Sequence, residues 1–457
     1  MKINKLIFSG ILVAALSMIG CSSDDDNNNN TPIDTVVVLE GNLETQTLTK
    51  DKKYLIKGQT FVRTGKVLTI QPGTIIKGDK ATKGTLIVDR GGRIEANGTA
   101  AEPIVMTSNL PAGSRDRGDW GGLVILGNAP VNQTDPSIEG ITPSVTFGGT
   151  NAADNSGTYR YLRVEYAGIE LSPNNETNSI TMGGVGSQTV MEYCMVTYGG
   201  DDGFEWFGGS VDGKYLIAFG MWDDCFDVDF GYSGKVQFGL SVRYPSFADQ
   251  SGSNAFECDN GPNDNTTAFL TTGVFSNFTC IGPRATNAQS INANYQHSMD
   301  LRRRTAVTIA NSVFTGYPRG LRMNQQSVYD NYAAGTGKLL NNIMVAPNTT
   351  FSVGSGMTAT ATDIQTWFNL TNTTITAAIE DQFAVLGLAS NLAFGNNVTS
   401  NYPSNPNFAV TSGTLATGAS FTDAKLAGFQ SVTYRGAFGT SDWTDGWAEF
   451  LPNTKTY

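Results

Sequence analysis

Short runs in which apolar and polar side chains alternate, separated by glycine, dominate the chain from residue 54 onward. The first runs cover residues 54–58, 67–78, 85–99 and 103–108 and are rich in Val, Ile, Leu and Thr. Alternation at every second position is typical of β-strands with one buried face. Glycine at the corners between runs, with no helical period among them, indicates a solenoid in which each coil buries its inward side chains against its neighbours.

The middle of the chain repeats one segment closely enough to set a register. Residues 201–207, Asp-Asp-Gly-Phe-Glu-Trp-Phe, match residues 223–229, Asp-Asp-Cys-Phe-Asp-Val-Asp, at an offset of 22 residues, which suits one coil of a β-helix. Later segments extend the alignment to residues 253–259, 296–302 and 319–323. Because side chains two positions apart share a face, the alignment predicts an inward apolar ladder of Phe204, Phe226, Phe256 and Met299.

The same register predicts an outward ladder of charged side chains. Neighbouring strands lie about 4.8 Å apart, and at that spacing the ladder would contain Glu205, Asp227, Glu257, Asp300 and Arg322. A second column would contain Asp202, Asp224, Asn254 and His297, with Arg302, Arg303 and Arg304 at its far end. The predicted ligand-binding residues are the carboxylates of the ladder and of the positions two residues further on, namely Glu205, Asp227, Asp229, Glu257, Asp259 and Asp300.

Carboxylates this close together repel one another, so they need a cation, basic neighbours or raised pKa values. Oxygen ligands of this kind suit Ca²⁺, and we predict a calcium site at Glu205, Asp227 and Glu257. The alternative is a solvated ionic ladder in which the arginines of the same face neutralise the acids. The sequence leaves both interpretations open.

Catalysis is a further alternative for the same face, with Arg302, Arg322 and His297 as candidate residues. Calcium-assisted polysaccharide lyases combine acidic metal ligands with an Arg or Lys base, which this face would supply. The two Asp-Asp pairs resemble those of polygalacturonase-like hydrolases, but the Gly-His-Gly and Arg-Ile-Lys motifs that accompany such pairs are absent. A single histidine excludes His-rich zinc sites, and no Gly-x-Ser-x-Gly elbow, P-loop or dinucleotide fingerprint occurs.

The N-terminus has the layout of a secretory signal. Lys2 and Lys5 precede an apolar stretch, residues 6–19, that is shorter than the roughly 20 residues of a membrane-spanning helix. The Met-Ile-Gly-Cys end at Cys21 resembles the lipobox of bacterial lipoproteins, which implies a signal peptide over residues 1–20 and lipidation of Cys21. Residues 21–35 are polar and of low complexity, which predicts a flexible tether.

An acidic run, Asp24-Asp25-Asp26, follows the predicted lipidated cysteine. It resembles the surface-export signal of Bacteroidota lipoproteins, which implies an outer-membrane protein that faces the cell exterior. The alternative is an acidic spacer on a lipoprotein that faces the periplasm.

Composition and charge agree with a protein outside the cytoplasm. The chain has 52 Gly and 16 Pro, as expected of many short strands and turns. Without the two lysines of the predicted signal it carries 28 basic and 41 acidic residues, a net charge of −13. Such a charge excludes nucleic acid as a partner and favours cations. Free buried thiols and disulfide bridges both remain open for Cys194, Cys225, Cys258 and Cys280.

The C-terminal part departs from the coil pattern. Residues 360–390 carry helix-like apolar spacing, which predicts one or two helices covering the end of the solenoid. Trp443, Trp447 and Phe450 predict an aromatic-rich tail that either packs as a cap or forms a platform for stacking sugars. We therefore divide the chain into coils over residues 36–359 and, continuous with them, further coils and a cap over residues 360–457.

Several segments carry a resemblance to known families. The coils from residue 54 resemble the first coils of pectate-lyase-like proteins, which implies an all-β, right-handed parallel β-helix with a short helical and aromatic C-terminal cap. Residues 118–127, 161–168, 201–209 and 434–450 resemble segments of a group of Bacteroidota surface lipoproteins. That resemblance implies the fold and a surface address, and it implies no reaction.

These observations predict a surface-displayed β-helix that uses its outward coil face for binding. The predicted partner is an extracellular glycan or an outer-membrane protein such as a TonB-dependent transporter. A calcium-dependent polysaccharide lyase and a structural cell-surface protein are the alternatives.

Overall fold

The computed structural model describes residues 36–172, 175–264, 269–345, 348–394 and 402–457. The predicted signal peptide, Cys21 and the predicted tether lie outside the described residues. No helix in the described part of the chain combines the length and the apolar character needed to cross a membrane.

The described residues form 28 strands and few helices. The strands are β1 (Val36–Leu43), β2 (Gln46–Leu48), β3 (Lys53–Val62), β4 (Val67–Ile70), β5 (Ile75–Gly78), β6 (Thr85–Val88), β7 (Arg93–Asn97), β8 (Ile104–Ser108), β9 (Leu123–Leu126), β10 (Gly157–Glu165), β11 (Glu170–Ser172), β12 (Asn175–Glu176), β13 (Ile180–Gly183), β14 (Val190–Thr197), β15 (Phe204–Phe207), β16 (Asp212–Phe219), β17 (Phe226–Asp229), β18 (Lys235–Val242), β19 (Phe256–Cys258), β20 (Val274–Ile281), β21 (His297–Leu301), β22 (Thr308–Ala310), β23 (Val313–Thr315), β24 (Arg319–Met323), β25 (Lys338–Leu340), β26 (Ile343–Val345), β27 (Thr349–Val353) and β28 (Thr373–Ile375). The α-helices are α1 (Gln326–Ala333), α2 (Ala361–Phe368) and α3 (Gln382–Leu386), and 3-10 helices cover Ile379–Asp381, Thr414–Ala416, Ala424–Leu426 and Pro452–Thr454.

Parallel pairing between successive coils joins 26 of these strands into one continuous sheet, which bends into three faces. Face 1 contains the ends of β1 and β3 and then β6, β9, β13, β15, β17, β19, β21, β24 and β27. Face 2 contains β2, β4, β7, the first halves of β10, β14, β16, β18 and β20, and then β22 and β25. Face 3 contains the first halves of β1 and β3, then β5, β8, the second halves of β10 to β20, and β23, β26 and β28. The predicted all-β parallel β-helix is confirmed.

The inward ladder predicted from the repeat is confirmed. Phe204 pairs in register with Phe226, Phe226 with Phe256, and Phe256 with Met299, and all four side chains are buried. The ring centroids of Phe204 and Phe226 lie 6.0 Å apart, and those of Phe226 and Phe256 lie 5.1 Å apart. Burial of this stack between the coils contributes the non-directional part of the stability of the solenoid.

From β10 onward, the corner between faces 2 and 3 is made by single residues in the left-handed region rather than by glycine. Their φ angles lie between 46° and 63°, and they are Tyr161, Tyr193, Tyr215, Phe238, Asn277, Asn311 and Asn341. Asparagine tolerates this conformation, whereas for aromatic residues it costs backbone energy. Stacking compensates for that cost, because the ring centroids of Tyr161 and Tyr193, and those of Tyr193 and Tyr215, lie 4.4 Å apart.

The four cysteines of the coils are free and buried. Cys225 lies 3.1 Å from the guanidinium of the buried Arg243, which also donates to backbone carbonyls of the neighbouring coil. Of the two interpretations left open by the sequence, the structure therefore has buried thiols.

One predicted helix covers the last coil. Thr360 caps α2 through a reciprocal pair of hydrogen bonds with Asp363, and the buried Ile364 and Phe368 join the apolar interior of the coils. The ring of Phe368 lies 5.3 Å from that of Phe351 on β27. The second helix, α3, instead packs its apolar side chains against the outer surface of face 3.

The aromatic tail also lies along face 3 and not over the end of the solenoid. The rings of Trp447 and Tyr161 meet edge to face at 5.7 Å. At the C-terminus, Lys77 donates to the main-chain oxygen of Tyr457. The phenol hydroxyl of Tyr457 donates to a carboxylate oxygen of Glu165. Trp447 and Phe450 are each only 2% exposed, so the interpretation of this cluster as a sugar-stacking platform is wrong. The tail covers face 3 and leaves face 1 as the open side of the later coils.

Candidate functional site

The outward column of face 1 changes character along the solenoid. In the early coils it consists of Phe61, Ile87 and Val124, which are buried beneath the apolar side chains of the connection between β9 and β10. From Glu205 on, the column carries charge, and each rung pairs in register with the next as the repeat predicts, in the order Glu205, Asp227, Glu257, Asp300 and Arg322. The acidic surface therefore begins where the covering connection ends.

Arginines neutralise the far end of this column. The guanidinium of Arg302 lies 2.6 Å from Glu257 and 2.5 Å from Asp259, and that of Arg303 lies 2.6 Å from Asp259. Arg322 holds Asp300 through two hydrogen bonds. Burial opposes the charge of Arg302, but Glu257 and Asp259 together raise its pKa above the ordinary value. This end of the column is therefore an ionic ladder, which is one of the two interpretations that the sequence left open.

The near end of the column has no such partners among the described residues. Burial raises the pKa of Glu205 and of Asp227 well above their ordinary values, and neighbouring carboxylates add to the effect. The Oδ1 atom of Asp227 is buried and has no hydrogen-bond partner. These groups therefore share one proton-binding or cation-binding region.

Two clusters of three carboxylates share Asp227. One contains Asp202, Glu205 and Asp227, and the other contains Asp224, Asp227 and Glu257, with ligand oxygens within 4.8 Å of one another in each. The predicted calcium triad of Glu205, Asp227 and Glu257 is thus divided between two clusters. The additional members come from the second column, which the sequence analysis aligned but did not assign to the metal.

The second column also has a structural role. An oxygen of Asp202 accepts the backbone N–H of Asp224 at 2.7 Å, Asp224 accepts that of Asn254, and Asn254 accepts that of His297 at 2.9 Å. Each side chain thereby satisfies the backbone of the next coil at the start of a face 1 strand. The second oxygen of Asp224 also accepts from the side-chain amide of Asn254 at 3.4 Å, so this column is held by side chains as well as by the backbone.

Two other predicted site residues, His297 and Asp229, are buried. Burial, with help from Arg322 and Arg319, lowers the pKa of His297 to about 3, so its imidazole is neutral, and it is only 1% exposed. Asp229 accepts the backbone N–H groups of Phe230 and Gly261, and burial together with Asp259 raises its pKa to about 7. Neither side chain projects freely from face 1.

Two adjoining cavities open beside the near end of the column, and we call them together the acidic cleft. The inner lobe, about 400 Å³, is lined by Asn178, Glu205, Phe147, Phe207 and Phe230. The outer lobe, about 760 Å³, is lined by Arg117, Trp222, Asp249, Ser251 and glycines. Glu176, Asp201 and Asp223 line both lobes.

The glycines of the outer lobe are required by close packing of three coils. A Cβ atom on Gly200 would lie 2.5 Å from the carbonyl oxygen of Gly168, and one on Gly168 would lie 2.6 Å from the backbone nitrogen of Gly200. Only residues without a side chain allow this approach, so the floor of the lobe is backbone. Gly118 and Gly168 fall in segments that resemble the surface lipoproteins, whereas Gly200 falls in none of them, and the sequence alone did not indicate that these glycines line a cavity.

Sequence reasoning also missed Trp222 and Asn178 as parts of a site. Trp222 directly precedes an Asp-Asp pair that was interpreted as a repeat element. Asn178 precedes Ile180 by two residues, as Asp202 precedes Phe204, so it lies one coil before Asp202 in the second column, at a coil that the sequence alignment did not reach. For Trp222, the signal available in the sequence was its position directly before Asp223 and Asp224.

The fold and the site define an all-β parallel β-helix with an open, acidic coil face. A family model described as a pectate-lyase-like β-helix domain matches residues 41–387, and the chain belongs to that family. Membership in it supports a carbohydrate-related role. A search of curated proteins found no match.

Among solved structures, the chain is similar to the one described as the crystal structure of Dettilon tailspike protein (gp208). The two share 9% sequence identity with a TM-score of 0.18, and the match covers 74% of this chain and 62% of the tailspike chain. The chain thus spans less than two thirds of the tailspike chain, and the likeness carries no argument about function.

Proposed function

We propose that the protein binds an extracellular glycan along the acidic cleft, with a Ca²⁺ ion held by the carboxylates around Asp227. The observation that carries this proposal is the pair of three-carboxylate clusters that share Asp227 at the edge of an open cleft. Membership in the pectate-lyase-like β-helix family supports a carbohydrate ligand.

The donor set around Asp227 fits a hard divalent cation. Glu205, Asp202, Asp224 and Glu257 contribute carboxylate oxygens, which are the ligands that Ca²⁺ prefers. A bound cation would relieve the repulsion that raises their pKa values and would give the unpaired Oδ1 of Asp227 a partner. When bound, the ion supplies positive charge and coordination positions for sugar oxygens.

Binding is favoured over cleavage by the state of the candidate bases. Arg302 is paired with Glu257 and Asp259, and Arg322 is paired with Asp300. A lyase base must give up a proton near neutral pH, and ion pairs oppose that loss. A calcium-dependent lyase is therefore the second candidate, and a purely structural protein is the third.

The proposal includes the location predicted from the N-terminus. Lipid on Cys21 would anchor the protein in the outer membrane, and the coils would face the exterior. An extracellular polysaccharide, or a TonB-dependent transporter that imports it, would then be the partner. Nucleic acid is not among the proposed partners because the chain is strongly acidic.

The calcium part of the proposal is tested by thermal unfolding with and without a chelator. We expect chelation to lower the melting temperature and Ca²⁺ to restore it, with stabilisation of about 2.7 kcal/mol at a hundredfold excess over the dissociation constant. Asp227→Asn, which is nearly isosteric, should abolish this response, whereas Asp445→Asn at an exposed position should retain it. Identical curves with and without chelator would contradict the metal site.

A further inference from the structure

Carboxylates are concentrated in the acidic cleft where its two lobes meet. Asp201, Asp202 and Asp223 bring their oxygens within 4.8 Å of one another where the two lobes meet. In the described part of the chain, no Lys or Arg forms an ion pair with Asp201 or Asp223 within 4.0 Å. Ser251 donates to one oxygen of Asp223 at 2.8 Å, while the other oxygen is buried without a partner. A ligand that carries positive charge and hydrogen-bond donors would satisfy these oxygens.

Asn178 provides an independent indication of the same ligand chemistry. The residue is only 5% exposed and lines the inner lobe together with Asp201 and Asp223. Its amide nitrogen donates to Thr181 and Glu205, which fixes the orientation of the amide. Its Oδ1 atom is buried and accepts no hydrogen bond. An acceptor left unsatisfied inside a protein costs free energy, and a donor on a ligand would remove that cost.

Aromatic rings complete the walls. Phe207 lies between Phe147 and Phe230 in the inner lobe, with ring centroids 6.2 Å and 5.1 Å away. Trp222 forms part of the wall of the outer lobe and is partly exposed. Aromatic faces attract cations and pack against the C–H surfaces of sugar rings. The combination of carboxylates and rings matches a ligand that is cationic at one point and apolar around it.

We propose that the acidic cleft recognises an amino sugar with a free amine, whose ammonium group lies between Asp201 and Asp223. The sugar ring would pack against the phenylalanines of the inner lobe and donate to Oδ1 of Asn178. The next sugar of the chain would lie against Trp222. The proposal rests on the glycan-binding function and names the class of sugar. The sugar site adjoins one calcium cluster through Asp202, whereas Asp201 and Asp223 belong to neither calcium cluster.

The charge of the cleft discriminates between sugars. A uronic acid would bring a further carboxylate next to Asp201 and Asp223, and like charges at this distance repel. An N-acetylated sugar has the same ring but lacks the ammonium charge. Amines other than sugars share the ammonium chemistry but lack the ring, so the ring and the charge can be tested separately.

Calorimetric titration of the full chain with a glucosamine tetrasaccharide tests the proposal. In the presence of chelator, we expect it to bind at least about tenfold more tightly than the N-acetylglucosamine tetrasaccharide or cadaverine, since a charge-assisted hydrogen bond contributes about that factor. Equal affinity for the N-acetylated sugar, or tighter binding of cadaverine, would overturn the proposal. Binding of neither sugar, with or without Ca²⁺, would overturn this proposal, whereas the calcium part of the proposed function is judged separately by the chelator experiment above.

Variants locate the binding. Asp201→Asn and Asp223→Asn relieve repulsion and so should fold, and each should weaken the glucosamine tetrasaccharide at least about tenfold. Asp445→Asn is the matched control and should bind as the parent does. Trp222→Ala should weaken the tetrasaccharide but leave glucosamine itself unchanged. If Asp227→Asn removes amino-sugar binding while Asp201→Asn and Asp223→Asn do not, the sugar lies at the calcium clusters and this proposal is wrong.

Discussion

At the scale of single residues, buried carboxylates of the acidic face have raised pKa values and so bind protons near neutral pH. Burial and neighbouring carboxylates raise the pKa of Asp229 to about 7, and burial raises that of Asp223 to about 6. In the unfolded chain both groups would titrate near the ordinary Asp value of about 3.9. Between pH values of about 4 and about 7, the folded protein therefore binds more protons than the unfolded chain.

Stability should therefore depend on pH with an unusual sign. Without divalent cations, the free energy of unfolding should increase as the pH falls from 8 to 5, and this contribution should be lost as the pH rises through about 7. Melting temperatures across this range, measured with chelator, check the expectation. Asp229→Asn should flatten the profile, and a parent protein that loses stability steadily below pH 8 would contradict it.

Calcium should oppose this dependence, because burial and neighbouring carboxylates also raise the pKa values of its proposed ligands Glu205 and Asp227, and the ion competes with protons for their oxygens. Stabilisation by Ca²⁺ should accordingly be larger at pH 8 than at pH 5. Aspartates on face 1 differ in what balances their negative charge. Asp259 forms ion pairs with two arginines, whereas at Asp227 burial and the neighbouring acids outweigh the opposing effect of Arg302 and raise the pKa.

At the scale of elements, the C-terminal tail acts as a cover for face 3. Trp447 packs edge to face on Tyr161 and Tyr193 at the corner between faces 2 and 3. Arg163 of β10 donates to the backbone carbonyl of Trp447 at 3.3 Å, so the tail is held on the coils by both packing and hydrogen bonding. The cover lies on a different face from the acidic cleft.

Two tryptophan variants should separate stability from binding. Trp447→Ala should lower the free energy of unfolding by about 3–5 kcal/mol, the usual cost of removing a large buried aromatic side chain, and should leave glycan affinity unchanged. Trp222→Ala, at a partly exposed position, should do the opposite. Denaturant unfolding and calorimetric titration of both variants give the comparison. Reduced glycan affinity in a folded Trp447→Ala protein would show that face 3 takes part in binding.

At the scale of the whole molecule, the proposed location determines what the cleft can meet. Replacing Cys21 by Ser should prevent lipidation and release the protein from the membrane fraction. Changing Asp24, Asp25 and Asp26 to Ala should keep the lipidated protein in the periplasm. Protease treatment of intact cells checks both expectations, and an alanine variant as accessible as the parent would show that the acidic run is only a spacer.

Much of the fold could be predicted from the sequence because its causes are local. Alternation at every second residue and the 22-residue repeat placed Phe204, Phe226 and Phe256 inside and Glu205 and Asp227 outside, and strand pairing confirms both. One face was buried at each coil, so a slip of one residue would have exposed the whole apolar ladder. The register was therefore determined by the sequence itself.

The content of the site was decided by tertiary structure. The long connection between β9 and β10 brings Phe147 to the inner lobe beside Phe207 of β15, and no local pattern encodes such a contact. The division of the acids into an arginine-paired end and an unpaired end depends on where Arg302 reaches across a coil. The tail returns along face 3 over hundreds of residues of sequence separation. Alternation along a strand is a property of neighbours in sequence, whereas charge pairing and cover depend on distances that only the folded chain sets.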